Sequence, residues 1–387
     1  MTHRSTLTRR TTLRAAAAAT GLAVGFPGRG HAADPLQIGC VVPLTGPLNT
    51  SGQQYHFSLQ MAQDDINAKG GIAGRKLEMV FADTRDSNAV AVNAFIKLNK
   101  DLRAPFMFLS SYTTQNLATE PEVAKAGLPV AYSGGGDAVQ ERKNRWMFRI
   151  RPNDGIQGDA LGRLLLDDLK SKRPAILYIQ NDFGQGVART VQRLCTAAGS
   201  EPVGFESYGA NDKDMSAQLL GFKRRDADAV VLVSYGADGA LILKQTKQLG
   251  ITTPLIASSG VMVPAAINLL SSDEVGKLYG MIDSFIDEGR QDPTGEYARR
   301  FRARFGVKAD PYGACYYDGA WMLKSAIEQA GTEPEALRNW FAGVKDWKGV
   351  THTYSTDALN NMVHSIAIVR FKPGTTELDF VRTIAVG

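Results

Sequence analysis

The stretch Phe106–Gly136, FMFLSSYTTQNLATEPEVAKAGLPVAYSGGG, decides how the rest of the chain is read. It opens as an apolar strand, FMFL, and runs into Ser110, Ser111, Tyr112, Thr113 and Thr114. A helix follows, then a second apolar run, LPVAY, which ends in Ser133 and Gly134–Gly136. Two strands thus end side by side, each tipped with small donors. In an open α/β sheet, ligands bind beyond the carboxyl ends of the strands. Free N–H groups at a helix start favour an anion, and glycines let a ligand approach the backbone. The stretch reads as a pocket for a small carboxylate with no chemistry attached. Ser and Thr also cap helices, and a run of glycines also makes a turn, so the hydroxyls alone leave both readings open.

A chain of 387 residues is long enough for two domains. Its formal charge of +5 is concentrated at the start. Residues 1–33 hold Arg4, Arg9, Arg10, Arg14 and Arg29 and no acid, which leaves 39 basic and 39 acidic residues in the remainder. The remainder is neutral, which gives no reason to expect a nucleic-acid partner. The basic start, the apolar run Ala15–Phe26 and the small-residue site Gly30-His31-Ala32 read as an export signal. Arg9-Arg10 within TRRTTLR resembles a twin-arginine signal in part, and a periplasmic location is expected. Cys40, Cys195 and Cys315 show no metal-type spacing and sit in apolar contexts, so they read as small buried residues.

Outward from the opening stretch, the pattern alternates strand and helix. LQIGCVVPL at Leu36–Leu44 and KLEMVFA at Lys76–Ala82 read as strands, with helices over Gln53–Ala68 and toward Leu98. MFRI at Met147–Ile150 closes the first series. A second series starts at AILYI, Ala175–Ile179, and continues through strands near Val203–Ser207, Ala229–Val233 and Pro254–Ala257. Such alternation predicts parallel sheets with helices on both faces, hence an α/β chain with two doubly wound, Rossmann-like domains. From Asp292 the pattern changes to helices near Thr294–Phe305, Tyr316–Ala330 and Glu333–Ala342, then strands at His364–Phe371 and Phe380–Ala385. That tail does not complete a third domain and suggests that the chain crosses back between the first two.

The ordered segments VVPLTGPL, INAKGGIAGRKLEMVFADTRDS, SSYTTQ, LPVAYSGG, MFRIRPND, NDFGQGVA and DPYGACYYDGAWMLKSAI resemble the leucine/isoleucine/valine-binding protein family, the type I periplasmic receptors of ABC importers. The resemblance runs from about Leu36 to the end of the chain. It implies the type I periplasmic binding protein fold: two lobes joined by three hinge crossovers and closing on a ligand. Lobe 1 would comprise 34–153 and 285–356; lobe 2 would comprise 154–284 and 357–387. It implies a monomer that captures a small carboxylate, a branched-chain or hydrophobic amino acid, and delivers it to permease subunits. By position, Ser111 and Thr113 would hold the carboxylate, with Ser133, Gly135 and Gly136 in the second turn. Phe183 and Tyr235 would close from lobe 2, and Tyr55 would line the mouth. Amino-acid binders of the family carry a lobe 2 acid for the ligand ammonium. Here the matching turn reads Ser258-Ser259-Gly260, with Ser259 at the acid's place. Either Asp137 or Asp238 substitutes, or the ligand is a hydrophobic or aromatic carboxylate or amide without an amine.

An enzyme is not expected, and neither a cofactor nor a metal. Outside residues 1–33 the histidines are His56, His352 and His364, and the chain has no GxSxG, HExxH or P-loop. Gly184-Gln185-Gly186 begins like a dinucleotide fingerprint, but Arg189 stands at the third glycine position. A cytoplasmic ligand sensor on the same fold is opposed by the export signal.

Overall fold

The computed structural model describes residues 34–385, and the expected export segment, residues 1–33, lies outside the described residues. The first series comprises β1 (Leu36–Val42), α1 (Asn49–Ala68), β2 (Leu77–Asp83), α2 (Asn88–Leu102), β3 (Met107–Phe108), α3 (Thr113–Ala126), β4 (Val130–Tyr132), α4 (Ala138–Glu141) and β5 (Met147–Arg149). Its strands form one five-stranded sheet in the order β2-β1-β3-β4-β5, every pair parallel. The continuous apolar runs of β1, β3, β4 and β5 have a simple cause, because these strands are buried on both faces, whereas the edge strand β2 exposes Glu78. Ile38, Cys40, Val42, Phe106, Phe108, Ala131 and Phe148 point into one core, with α1. Their neighbours Val41, Met107, Leu109, Val130, Tyr132 and Met147 point into the other, with α2 and α3.

The second series comprises α5 (Asp154–Arg163) with a π-helical turn at Leu164–Asp168, β6 (Pro174–Ile179), α6 (Asp182–Ala197), β7 (Gly204–Tyr208), α7 (Ser216–Arg224), β8 (Ala229–Val233), α8 (Gly236–Gln248), β9 (Leu255–Ala257), α9 (Pro264–Ile267) and β10 (Leu278–Ile282). The chain continues through α10 (Pro293–Phe305), α11 (Pro311–Ala330) and α12 (Pro334–Ala342). It ends in β11 (Trp347–Lys348), β12 (Thr353–Thr356), β13 (Met362–Val363), β14 (Ile366–Phe371) and β15 (Leu378–Ile384). The second sheet has seven strands in the order β15-β14-β10-β9-β8-β6-β7. Strands β6–β10 are parallel, and β14 and β15 add antiparallel at the edge. Helices α10–α12 return to the first sheet, with Phe301, Leu323 and Phe341 in the core that holds α1.

The chain passes between the sheets three times. Ile150 packs with the first sheet and Ala160 with the second. Ile282 packs with the second and Tyr297 with the first. Met362 packs with the first and Ile366 with the second. The last passage therefore lies after Met362 and not after residue 356, the position read from the sequence. The antiparallel pairing of β12 with β13 holds the chain back, and Asn361 anchors it by accepting from the buried Arg149 Nη1 at 3.1 Å. Other elements also depart from the sequence reading. Strand β10 had no forecast, since LYGMI is short and interrupted by Gly280. Helix α11 starts at Pro311, earlier than expected, because Asp310 caps it by accepting from Gly313 N at 2.6 Å.

Candidate functional site

The carboxyl ends of the two sheets face one another across a cavity of about 810 Å³. From the first sheet come Leu48 after β1, Asp86 after β2, Ser111 and Thr113 after β3, Gly135 after β4 and Arg151 after β5. From the second come Asn181 after β6, Lys213 after β7, Tyr235 after β8 and Gly260 after β9. Helices α3, α6 and α8 also begin at this cavity, so their N-terminal partial positive charges converge on it. A smaller cavity of about 280 Å³ lies elsewhere, among Ile282, Phe285, Ala309 and Leu378.

Of the residues singled out in the sequence, Tyr55, Ser111, Thr113, Gly135, Phe183 and Tyr235 line the large cavity. Ser111 Oγ is hydrogen-bonded to the Tyr55 hydroxyl. Thr113 Oγ1 accepts from Gly136 N at 2.9 Å, which leaves its own proton free to donate. A side chain on Gly135 would collide with the Asp154 carboxylate, so only glycine fits against it there. Phe183 and Tyr235 stack with centroids 5.1 Å apart and planes at 15°. Tyr112, from the first sheet, meets Tyr235 edge-on at 5.5 Å, so the two sides already touch across the opening.

Ser133, Gly136 and Ser259 stand behind the wall rather than on it. Ser133 Oγ is turned away and donates to the Tyr316 hydroxyl at 3.2 Å. Ser259 Oγ donates to Gln157 Oε1 at 2.8 Å and shares a 2.6 Å hydrogen bond with the Tyr312 hydroxyl. Of the two acids considered as ammonium partners, Asp238 lines the cavity. Asp137 instead lies 3.8 Å from Arg149, away from the cavity wall.

Sequence reasoning passed over Arg151, Tyr312, Asp86, Asn181 and Lys213, which also line the cavity. Arg151 is the most consequential. It is buried, its Nε and Nη2 donate to the Asp283 carboxylate at 2.5 and 2.9 Å, and Nη1 donates to Ser133 O at 3.2 Å. Its guanidinium lies 4.6 Å over the Tyr312 ring. Burial alone would lower the Arg151 pKa, but the Asp283 charge more than offsets this and the net shift is upward. The signal was present in the sequence as RIRPND, where a second arginine stands just after a strand end.

Electrostatically the walls combine uncharged hydroxyl donors with the charged groups of Arg151, Lys213, Asp86 and Asp238. Burial pushes the hydroxyls of Tyr55, Tyr112, Tyr235 and Tyr312 upward, so each stays protonated at ordinary pH. Behind Gly135, burial pushes the Asp154 carboxyl up to about 8. Its Oδ2 is buried without a hydrogen-bond partner among the described residues. The arrangement can hold an anion by hydroxyls and helix termini and an apolar body by aromatic faces.

A family model described as a periplasmic binding protein matches residues 35–376. A leucine-, isoleucine-, valine-, threonine- and alanine-binding protein of Pseudomonas aeruginosa is 27% identical over 81% of this chain and 83% of that protein. The Leu/Ile/Val/Thr-binding protein of Salmonella typhimurium is 25% identical over 81% of this chain and 92% of its own length. Among solved structures, the isoleucine complex of a branched-chain amino acid transporter substrate-binding protein from Streptococcus pneumoniae superposes with TM-score 0.82 at 23% identity, covering 90% of this chain and 99% of that one. A solute-binding protein of an ABC transporter from Rhodopseudomonas palustris, in complex with 3,4-dihydroxybenzoic acid, superposes with TM-score 0.81 at 19% identity, covering 91% and 97%. The architecture is thus the type I periplasmic binding protein fold, and the chain belongs to the periplasmic binding protein family.

Proposed function

We propose that this protein is the extracytoplasmic substrate-binding component of an ABC importer, and that it captures a small carboxylate with an apolar body. The observation that carries this reading is the cavity between the two sheet ends. It sets the Ser111 and Thr113 hydroxyls and the N-terminus of α3 opposite the stacked Phe183 and Tyr235, which stand at the N-termini of α6 and α8. Branched-chain and other hydrophobic amino acids are the first ligands to test, because the relatives are named for them. The 3,4-dihydroxybenzoic acid complex shows that the fold also accommodates an aromatic acid.

Ser111, Thr113 and the Gly135 turn would hold the carboxylate, Tyr55 would buttress Ser111, and Phe183 and Tyr235 would cover the apolar part. Ser133, Gly136 and Ser259 would act from behind by holding Tyr316, Thr113 and Tyr312 in place. Two lobes would close by bending at Ile150–Asn153, Asp283–Phe285 and Val363–Ser365, the protein working as a monomer that presents its closed form to permease subunits. Residues 1–33 would direct export. The ligand leaves chemically unchanged, since binding and release are the whole task.

A thermal-shift series with each amino acid, its amine-free acid, benzoate and simple amides tests the reading. A ligand at ~100 times its Kd adds roughly 2.7 kcal/mol of stability. A shift with carboxylates and none with matched amides or alcohols is expected. If no carboxylate shifts the transition, the reading is wrong.

A further inference from the structure

Resting on the carboxylate reading above, we propose that Asp154 receives the ammonium of an amino-acid ligand, and that the pairing expels a proton from the protein.

Position comes first. Ser111 and Thr113 follow β3, Gly135 follows β4, and the two strands are neighbours in the sheet. A side chain on Gly136 would strike Thr113, and one on Gly135 would strike the Asp154 carboxyl. The Thr113 hydroxyl and the Asp154 carboxyl therefore flank one glycine turn, of which Gly135 lines the cavity. In an α-amino acid the ammonium stands one carbon from the carboxylate. A carboxylate on Ser111 and Thr113 thus brings the ammonium to the adjacent turn. Asp86 also lines the cavity, and its Oδ1 too is buried without a partner among the described residues. It follows β2, however, which β1 separates from β3. At about 4.8 Å per strand, Asp86 stands too far aside for the same ammonium. Asp238 belongs to the opposite sheet and has Lys213 as its charge partner.

The Asp154 carboxyl is oriented but incomplete. Ser259 Oγ donates to Gln157 Oε1 at 2.8 Å, which fixes the Gln157 amide so that its Nε2 donates to Asp154 Oδ1 at 3.0 Å. Ser259, which cannot itself neutralise an ammonium, thereby positions the carboxyl that can. Asp154 Oδ2 is left without a hydrogen-bond partner among the described residues, and Asp154 is fully buried. A buried polar atom without a partner is costly, and an ammonium supplies both the missing donor and the missing charge.

The charged groups around Asp154 do not fill that role. Arg149 donates to Gly136 O, Gln140 and Asn361, and Arg151 donates to Asp283, so neither guanidinium bonds the carboxyl. Their charges favour its ionisation, those of Asp137 and Asp283 oppose it, and burial outweighs all four, pushing the carboxyl up to about 8. Tyr235, facing it from the start of α8, keeps its proton. At neutral pH the carboxyl is thus protonated before binding, and with Oδ1 accepting from Gln157 the proton sits on Oδ2. When R–NH3+ arrives, that O–H bond breaks, the proton passes to solvent and the carboxylate pairs with the ammonium. Amino-acid affinity should therefore rise as pH rises toward about 8, by at most about tenfold per pH unit. An amine-free acid gives the carboxyl no reason to ionise.

The test is calorimetric titration of the purified protein at pH 7 in phosphate and in Tris, which differ in ionisation enthalpy. Leucine and phenylalanine are compared with 4-methylpentanoate and 3-phenylpropanoate. Amino-acid binding should release roughly one proton, and binding of the amine-free acids none. Asp154→Asn should abolish the release, flatten the pH dependence between pH 6 and 8 and weaken amino-acid binding at pH 7 by at least about tenfold. Amino-acid binding without proton release, equal release by the amine-free acids, or loss of the release in Asp86→Asn but not in Asp154→Asn overturns the proposal and leaves the carboxylate reading intact. Binding of neither series overturns both. If Asp154→Asn does not fold, the comparison of buffers on the unaltered protein decides alone.

Discussion

Ser111 and Thr113 illustrate what single residues contribute. Each presents a hydroxyl to the cavity, and each is oriented by a partner, Tyr55 for Ser111 and the Gly136 N–H for Thr113. A hydrogen bond to a charged group is worth about 1.5–3 kcal/mol net. Ser111→Ala should therefore weaken carboxylate binding by about 1–3 kcal/mol in a titration while leaving the unliganded melting curve nearly unchanged. Full affinity in that variant would place the carboxylate elsewhere. Asp154 makes a second prediction at this scale. Burial penalises its charge and pushes its carboxyl from the ordinary 3.8 up to about 8. The folded state therefore holds the proton more tightly than the unfolded chain. Asp154's contribution to stability is complete below about pH 4 and is lost as pH rises through about 8, with a slope of at most about 1.4 kcal/mol per pH unit for one group. Asp310, pushed up to about 7 by burial, acts in the same direction. Denaturant titrations of the unliganded protein between pH 5 and 8 should show falling stability, and Asp154→Asn should flatten the slope.

At the level of elements, helix starts carry both stability and site geometry. Asn181 caps α6 by accepting from Gly184 N at 2.9 Å while also lining the cavity. Asp310 caps α11, whose next residues place Tyr312 against Arg151. Asp310→Ala should cost about 1 kcal/mol in urea unfolding, the usual worth of an N-cap, and Asp310→Asn much less, since an amide oxygen caps equally well. Equal losses in the two variants would mean that the charge, not the cap, matters. The parallel strands were legible because two-sided burial writes itself as unbroken apolar runs. The strand ends were equally legible as clusters of Ser, Thr and Gly. Strand β10 and the β11–β13 pairings were not, since LYGMI is short and the latter strands bury few side chains of their own.

The whole molecule adds contacts that no single element contains. Tyr112 and Tyr235 meet across the opening at 5.5 Å, and Arg151 of the first passage between sheets is paired with Asp283 of the second. At the third passage His364 stacks on His352 with centroids 3.6 Å apart, and burial pulls His364 down to about 3, so it is neutral at physiological pH. If the two halves close on a ligand, the radius of gyration from solution scattering should fall when a binding carboxylate is added. An unchanged radius at saturating ligand would mean a preformed pocket. Tyr235→Ala should speed ligand dissociation more than it slows association, because it removes a covering ring and leaves the encounter surface intact. Stopped-flow measurement of both rates checks this.

The sequence by itself determined the α/β class, the two sheets and the family, because these follow from local periodicity and the order of motifs along the chain. It also marked Tyr55, Ser111, Thr113, Gly135, Phe183 and Tyr235, each at a strand end or in the helix that follows. Only the tertiary structure decided which marked residues reach the cavity surface and which stand behind it. Ser133 and Ser259 look the same in sequence as Ser111, yet their hydroxyls are spent on Tyr316 and on Gln157 and Tyr312. Arg151, Asp283, Ser259 and Tyr312 form one cluster although their positions span much of the chain. Such a cluster leaves no local pattern, because its members come together only where the chain passes between the two sheets.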